Sequence, residues 1–342
     1  MNDYNGLDQI FHRFALGSPL IAELSFDLER LIFSSPPKTQ GAIYVTGLAR
    51  AGTTSLMRGL YDCGEFASLT YDDMPFVLAP NLWNIFSKIQ RKTQAMKERS
   101  HADGIMVNFN SPEALEEVFW RVHCGEDYIQ LNSLKVHEVD SETIKTLRHY
   151  QDLICLKYQK NRYLAKNNNH ILRLRSLAHR MPDTTFLVLF REPVEQAMSL
   201  LNQHRRFTGS DTFTQQYMRW LVHHEFGATH RPLILPQSNQ NCPDKNSEEF
   251  WISLWVDVYG YLENHLAETP QNVIPVSYER LCNQDGYWEK LLEVLELPIR
   301  QSPLRRNEKD VPKISSLLTD RATRIYKSLD QMSQDFLLGS KD

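Results

Sequence analysis

Paired cysteines, long apolar runs and blocks of like charge are all missing from this chain. The five cysteines (Cys63, Cys124, Cys155, Cys242 and Cys282) are scattered, and no two have the C-x-x-C spacing of zinc or redox motifs. We therefore expect reduced thiols. No window approaches the roughly 18 apolar residues of a membrane span, and the N-terminal stretch has no signal-like apolar segment. These absences predict a cytoplasmic protein with no integral membrane segment.

The overall charge is nearly balanced. Lys and Arg total 38 against 42 Asp and Glu, which gives a formal net charge of −4. Proteins that bind nucleic acids present clustered Lys and Arg to the phosphates, and the sequence has no such cluster. We therefore expect no nucleic-acid partner, and any cationic site must be local.

Candidate strands alternate with candidate helices. Apolar runs at 42–46, 186–190 and 273–277 are typical of strands buried in a parallel sheet, and helices are expected after the first two, from Thr53 and Pro193. This alternation predicts an α/β fold, a doubly wound parallel sheet flanked by helices, with helical insertions. We expect three parts: an N-terminal helical arm at 1–40, the α/β domain at 41–300 with an insertion at 205–249, and a C-terminal helical tail at 301–342.

Further local patterns predict additional elements. A short strand is expected at 68–71 and a long helix at 142–160. Ser111 followed by Pro112 is typical of a helix start. Trp251 and Trp255 fall on one face of a later helix, where they either pack in the core or stack on a sugar ring.

The segment between the first strand and its helix is rich in glycine. Exposed N–H groups and the helix dipole at such a turn favour a phosphate. Gly47 and Gly52 have the spacing of the GxxxxGK[ST] loop of nucleotide triphosphatases, but Thr53 stands in place of the Lys, and the cation is Arg50. A kinase or ATPase would therefore lack its usual contact to the β and γ phosphates. A glycine-flanked turn that binds nothing is the alternative.

This loop resembles the 5′-phosphosulfate loop of sulfotransferases that use 3′-phosphoadenosine 5′-phosphosulfate (PAPS). The family loop has a basic residue followed by Ser, Gly, Thr and Thr, and residues 50–54 match four of these five places. The resemblance implies PAPS as co-substrate, no metal, and an Arg50 that neutralises the bridging oxygen as sulfur leaves. It assigns binding of the 5′-phosphate to Ala51, which replaces the usual Ser, and to Gly52, Thr53, Thr54 and Ser55.

A second match begins at Arg191, at the end of an apolar strand. The family's 3′-phosphate motif has such an Arg, a nearby Pro or Gly, and a Ser eight residues after the Arg; here these are Pro193 and Ser199. The resemblance implies that Arg191 binds the 3′-phosphate through its planar guanidinium and that Ser199 donates its hydroxyl. Tyr278 follows the last strand in an element similar to the family's YExL, and is assigned to the cofactor pocket. A surface ion pair, a solvated helix position and a core tyrosine are the respective alternatives.

Lys166 comes before three asparagines in the sequence. Many family members have a Lys-x-Pro element at this place, whose Lys donates to the sulfuryl oxygens, and Lys166 aligns with that Lys while Asn168 replaces the Pro. The resemblance implies that Lys166 and Arg50 are the catalytic cations. The asparagines are either amide ligands for the sulfuryl group or a sugar, or an ordinary turn.

Sulfuryl transfer also needs a base for the acceptor's proton. In the family the base is a Glu, His or Asp, often just beyond the second strand, where this chain has Asp72 and Asp73. We select Asp73, because partial burial beside the following apolar stretch would raise its pKa toward a working value, with Asp72 second. A helix cap is the alternative role for this pair. Glu65, His101 and Asp103 are further candidates.

A metal site is not predicted at the His223-His224-Glu225 sequence. The two histidines are adjacent, whereas metal-binding HExxH motifs place them four residues apart on a helix.

Together the motifs predict a sulfotransferase that moves a sulfuryl group from PAPS to a hydroxyl or amine by in-line transfer with a carboxylate base. The acceptor is a small molecule or a glycan, and the polar and aromatic segments 75–135 and 205–249 favour a saccharide. Two other functions stay open: a P-loop kinase for a small molecule, and a non-catalytic nucleotide- or glycan-binding module. The missing P-loop Lys disfavours the first, and the intact cations disfavour the second.

Overall fold

The computed structural model of the protein describes residues 6–87, 97–98, 106–107, 111–236, 238, 244–266, 271–302, 304 and 316–338. Within these ranges, no helix is both long and apolar enough to cross a lipid bilayer. Cys63, Cys124, Cys155 and Cys282 form no disulfide with one another, and Cys242 lies outside the described residues.

Five parallel strands form the central sheet. The strands of the described residues are β1 (Ala42–Thr46), β2 (Phe66–Ala67), β3 (Lys97–Glu98), β4 (Met106–Val107), β5 (Leu134–Lys135), β6 (Arg162–Lys166), β7 (Thr184–Phe190), β8 (Leu233–Ile234) and β9 (Val273–Ser277). The central sheet has the order β2, β6, β1, β7, β9, and every neighbouring pair in it is parallel. Two small sheets pair β3 with β4 and β5 with β8.

Helices connect the strands and cover both faces of the sheet. They are α1 (Gly6–Gly17), α2 (Pro19–Ile32), α3 (Thr53–Tyr61), α4 (Pro80–Ser87), α5 (Glu117–Tyr128), α6 (Ser141–Tyr158), α7 (Leu174–Arg180), α8 (Pro193–Thr208), α9 (Thr212–Trp220), α10 (Glu248–Leu266), α11 (Tyr278–Asn283), α12 (Tyr287–Val294) and α13 (Leu317–Leu338). Short 3₁₀ turns occur at Tyr71–Asp73 and Asn168–Leu172.

The core consists of two apolar layers, one on each face of the sheet. Alternate residues of β1 point to opposite faces, so Ile43 and Val45 pack with α3, α11 and α12, while Tyr44 packs with the layer that contains α5, α6, α8 and α10. All five residues of β1 are buried. Burial on both faces explains why the strand is a continuous apolar run, and the doubly wound α/β fold predicted from the sequence is confirmed.

The carboxyl ends of the central strands meet at one edge of the sheet. Val45 lies beside Lys166 and Thr46 beside Val188, while Phe190 lies beside Ser277. Because the strands are parallel, the segments that follow them emerge at this same edge. Ligands of open α/β sheets bind in the crevice outside these strand ends.

Several boundaries differ from those expected from the sequence. The second strand is Phe66–Ala67 and ends before the expected 68–71. The helix expected from Ser111 begins at Glu117 instead, because residues 111–113 pair with an extended neighbour: Ser111 accepts a hydrogen bond from Tyr71, and Glu113 donates one to Leu69. Strand β6, next to β1, was not predicted at all. Trp251 and Trp255 are fully buried, as core packing requires.

Candidate active site

The loop between β1 and α3 has a conformation that requires glycine twice. Gly47 has a φ of 138°, and a Cβ there would lie 2.3 Å from the carbonyl oxygen of Leu189. Gly52 has a φ of 93°, and a Cβ there would lie 2.4 Å from the ring of Tyr278. Arg50 has a left-handed φ of 70°, a strained conformation that persists where the surroundings enforce it. The backbone of this loop is therefore set by its neighbours.

The loop leads directly into the N-terminus of α3. Gly52 is the N-cap and supplies no side-chain hydrogen bond to the helix. The first-turn N–H groups of an α-helix have no partner inside the helix, and partial positive charge accumulates there. Thr53 and Thr54 are buried, and Ser55 is half-buried in this turn. The structure therefore places the predicted 5′-phosphate residues at a position that stabilises an anion.

A hydrogen bond joins the two motifs predicted from the sequence. Arg50 donates from Nε to Ser199 Oγ at 3.1 Å, although 149 positions separate these residues along the chain. Ser199 lies on α8, the helix that follows β7 and begins two residues after Arg191. The cation of the first loop and the hydroxyl of the second motif are thus in direct contact.

Tyr278, the residue directly after β9, contacts both of these motifs. The Arg191 guanidinium lies over its ring, 4.9 Å from the centroid, and the Cδ2–Cε2 edge of the ring lies against Gly52. Arg191 also donates from Nη2 to Glu195 Oε2 at 2.8 Å, while its buried Nε has no hydrogen-bond partner among the described residues. Burial raises the pKa of Tyr278 to about 12, so the phenol stays neutral at physiological pH.

A chain of polar side chains extends from the loop to a carboxylate. Thr53 donates from Oγ1 to Asn168 Oδ1 at 3.4 Å, and Asn168 donates from Nδ2 to Glu225 Oε1 at 3.0 Å. Burial raises the pKa of Glu225, but the charges of His223 and Lys166 together with hydrogen bonds from its own backbone and from Asn168 outweigh burial, so its pKa lies below the ordinary value. Glu225 is therefore ionised at neutral pH.

A pocket lies where these hydrogen-bonded side chains meet the loop between β1 and α3. It encloses about 340 Å³, part of it open to solvent, and its lining includes Leu48 and Ala49 of the loop together with Asn168 and Glu225. Apolar walls, among them Leu134 of β5, complete it.

Asp73, the base predicted from the sequence, lies in a different polar network. Its fully buried carboxylate pairs with Lys157, and Oδ2 accepts hydrogen bonds from Tyr158 Oη and Thr70 N, each at 2.7 Å. Burial raises the pKa of Asp73, and Lys157 offsets part of this rise. Asp72 Oδ2 lies 3.5 Å from Lys157 Nζ. These hydrogen bonds cap the 3₁₀ turn and attach it to α6. A catalytic role for Asp73 or Asp72 stays a prediction.

Sequence reasoning did not assign Glu225 to the transfer site. Glu225 lies in the segment expected to be an insertion, and it was considered only as part of a metal motif with the wrong spacing. His223, two residues earlier, is the local signal, but nothing in the sequence indicates the contact of Glu225 with Asn168. Of the further carboxylate and histidine candidates, Glu65 is exposed, and His101 and Asp103 lie outside the described residues.

The model of the family described as the sulfotransferase family matches residues 42–237, more than half of the chain. The chain belongs to the sulfotransferase family. Membership indicates a transferase of sulfuryl groups, so the resemblance carried by the two motifs is confirmed. The family match contains the first loop, Lys166, Arg191 and Ser199, whereas Tyr278 lies beyond it.

Solved structures of sulfotransferases are similar to this chain at low sequence identity. Sulfotransferase STF1 from Mycobacterium tuberculosis H37Rv is 14% identical, with a TM-score of 0.45 and coverage of 98% of this chain and 87% of that chain. STF9 from Mycobacterium avium is 14% identical, with a TM-score of 0.46 and coverage of 97% and 79%. A sulfotransferase from Alicyclobacillus acidocaldarius is 11% identical, with a TM-score of 0.41 and coverage of 89% and 97%. A search of curated proteins gave no significant match.

Proposed function

We propose that this sulfotransferase moves the sulfuryl group of PAPS to a hydroxyl or amine on a small-molecule or glycan acceptor. The hydrogen bond between Arg50 and Ser199 is the observation that carries the proposal. It brings the loop suited to one phosphate group against the motif suited to another. PAPS has this pattern, with a 5′-phosphosulfate and a 3′-phosphate on one adenosine.

The nucleotide would be held by groups at the carboxyl edge of the sheet. The first turn of α3 would bind the 5′-phosphate through its N–H groups and the Thr53 and Thr54 hydroxyls. Arg191 and Ser199 would bind the 3′-phosphate. The buried Arg191 Nε, which lacks a partner among the described residues, supports a ligand there, because a buried donor without a hydrogen bond is costly.

The transfer itself needs positive charge and a proton acceptor. The acceptor oxygen or nitrogen forms a bond to sulfur while the bond from sulfur to the bridging phosphate oxygen breaks. Arg50 and Lys166 would stabilise the charge that develops on the leaving phosphate and the sulfuryl oxygens. A carboxylate would take the acceptor's proton, and the fixed positions of these groups favour in-line attack.

Two carboxylates are candidates for the base. Asp73 is the residue predicted from the sequence, and its three partners would all have to adjust to its protonation. Glu225 is a second candidate, because it lines the pocket, is ionised, and connects through Asn168 to Thr53 of the phosphate loop. The amides of Asn168 and Asn169 and this carboxylate also give the pocket hydrogen-bonding groups suited to a hydroxylated acceptor such as a saccharide.

Calorimetric titration with 3′,5′-diphosphoadenosine tests the nucleotide assignment, with adenosine 5′-monophosphate as the control that lacks the 3′-phosphate. We expect the diphosphate to bind at least about 100-fold more tightly. Arg191→Ala should remove about 2–5 kcal/mol of that affinity, because it truncates one side of a desolvated charge pair. The matched control is Arg180→Ala, an exposed arginine, and should leave affinity unchanged. Equal binding of both nucleotides, or preference for ATP with Mg²⁺, would contradict the proposal.

Substitution of the two carboxylates tests the base. Glu225→Gln and Asp73→Asn are compared with Glu142→Gln, which changes an exposed carboxylate on α6. The variant that lacks the base should keep its affinity for 3′,5′-diphosphoadenosine and lose about 10²-fold or more in kcat. Full turnover by one of the variants would eliminate that residue as the base, and full turnover by both would reject a carboxylate base from this pair.

A further inference from the structure

Three side chains with metal-binding chemistry meet away from the transfer site. Cys124 Sγ, a carboxylate oxygen of Asp127 and a ring nitrogen of His137 all lie within 4.8 Å of one another. Cys124 and Asp127 are three positions apart in α5, so they lie on one face of that helix. His137 follows β5 by two residues and comes to the same place from a different segment. The cluster therefore joins two parts of the fold.

His137 has a buried imidazole ring whose two nitrogens lack hydrogen-bond partners among the described residues. Its side chain is only 8% exposed. The ring is stacked on Tyr128, with centroids 5.0 Å apart and an interplanar angle of 17°. A buried polar atom without a hydrogen bond is destabilising, so the two unpaired ring nitrogens support a ligand at this place.

The protonation states of the cluster are compatible with a metal ion. Burial lowers the pKa of His137 to about 3, so its imidazole is neutral and has a lone pair for a metal. Burial raises the pKa of Cys124 to about 11, so the free thiol keeps its proton at neutral pH, and a metal ion has to displace this proton to bind the thiolate. Asp127 is exposed and gives the cluster a route to solvent.

The buried Arg173 guanidinium lies close enough to Cys124 and His137 to lower the pKa values of both groups. Arg173 is paired with Glu117, Nη2 to Oε1 at 2.7 Å, so its charge is largely compensated. A dication bound by one thiolate and one carboxylate forms a complex with no net charge. The whole group of five side chains would then be neutral.

We propose that Cys124, Asp127 and His137 bind a zinc ion, with water in the fourth position. Thiolate, carboxylate and imidazole are all common zinc ligands, and zinc takes four ligands in tetrahedral geometry. The ion would attach α5 to the segment after β5. Since β5 pairs with β8, and Leu134 and Leu233 of these strands line the pocket, the ion would stiffen the wall of that pocket.

Metal titration of the full-length chain tests the site without reference to activity. After removal of bound metal with a chelator, zinc chloride is titrated by calorimetry and cobalt chloride by absorbance, because a Cys ligand gives a thiolate-to-cobalt charge-transfer band. We expect one equivalent per chain, with the band present and the melting temperature raised by zinc. Saturable binding without that band would also overturn the proposed ligand set.

Variants of adjacent carboxylates provide the matched comparison. Asp127→Asn removes a ligand at an exposed position, where the fold is not at risk, and should weaken zinc binding about tenfold or more. Glu126→Gln changes the exposed carboxylate one residue earlier and should leave binding unchanged. Absence of saturable zinc binding, or equal binding by the two variants, would overturn the proposal.

Discussion

Substitution of Gly52 by alanine tests the geometry of the phosphate loop. Two costs follow from the structure. A non-glycine residue with the φ of 93° found here incurs roughly 1–2 kcal/mol of backbone strain. The added Cβ would lie 2.4 Å from the Tyr278 ring, and relief of such an overlap in a packed site costs roughly 1–3 kcal/mol. We therefore expect Gly52→Ala to lower the free energy of unfolding by about 2–5 kcal/mol.

A double-mutant cycle in urea separates these two costs. Tyr278→Ala removes the ring that the new Cβ would meet, so Gly52→Ala in that background should cost only the backbone strain, roughly 1–2 kcal/mol. The difference between the two backgrounds measures the overlap. Equal costs in both backgrounds would show that the ring does not constrain the loop, and a cost near zero in the wild-type background would refute the whole reasoning.

Three further predictions concern neighbouring groups. Asp73→Asn should lower the free energy of unfolding by about 3 kcal/mol in urea titration, because the buried Lys157 loses its closer counter-charge and is left with Asp72, at 3.5 Å; an unchanged stability would contradict this. Glu195→Gln should raise the calorimetric affinity for 3′,5′-diphosphoadenosine several-fold, by removing the carboxylate that occupies Arg191, whereas weaker binding would show that Glu195 positions the guanidinium. Burial lowers the pKa of His224 to about 4 from an ordinary 6.5, so the unfolded chain binds the proton first as pH falls. Stability should therefore fall by roughly 1.4 kcal/mol per pH unit between pH 6.5 and about pH 4 on account of this residue, and the slope in that window should be shallower in His224→Gln.

The family match and the parallel register of the sheet explain different features of the site. The family match covers the segments that supply both phosphate motifs and Lys166. The parallel register explains why segments more than 80 residues apart in sequence emerge side by side: β1 lies between β6 and β7, and β7 lies beside β9. Each of these strands is followed by a polar group of the proposed site. The zinc site lies outside this arrangement, on α5 and the segment after β5.

The sequence alone determined the parts of this protein that depend on local patterns. Strands β1 and β9 were predicted with their correct bounds, since continuous apolar runs are the direct consequence of burial on both faces. The glycines of the first loop were recognisable because a left-handed turn restricts residue type at fixed positions. The order of the two phosphate motifs then sufficed to indicate the family, and the cations Arg50 and Arg191 could be named.

Only the tertiary structure decided which side chains meet. Strand β6 was missed because Arg162 and Lys166 at its ends interrupt the apolar run, yet it places Lys166 beside β1. The Asp73 network and the contact of Glu225 with Asn168 join segments that are distant in the chain, and the cluster around His137 joins α5 to the segment after β5. Such contacts depend on how packed helices and strands orient each side chain, and a local pattern of residue types carries no information about that orientation.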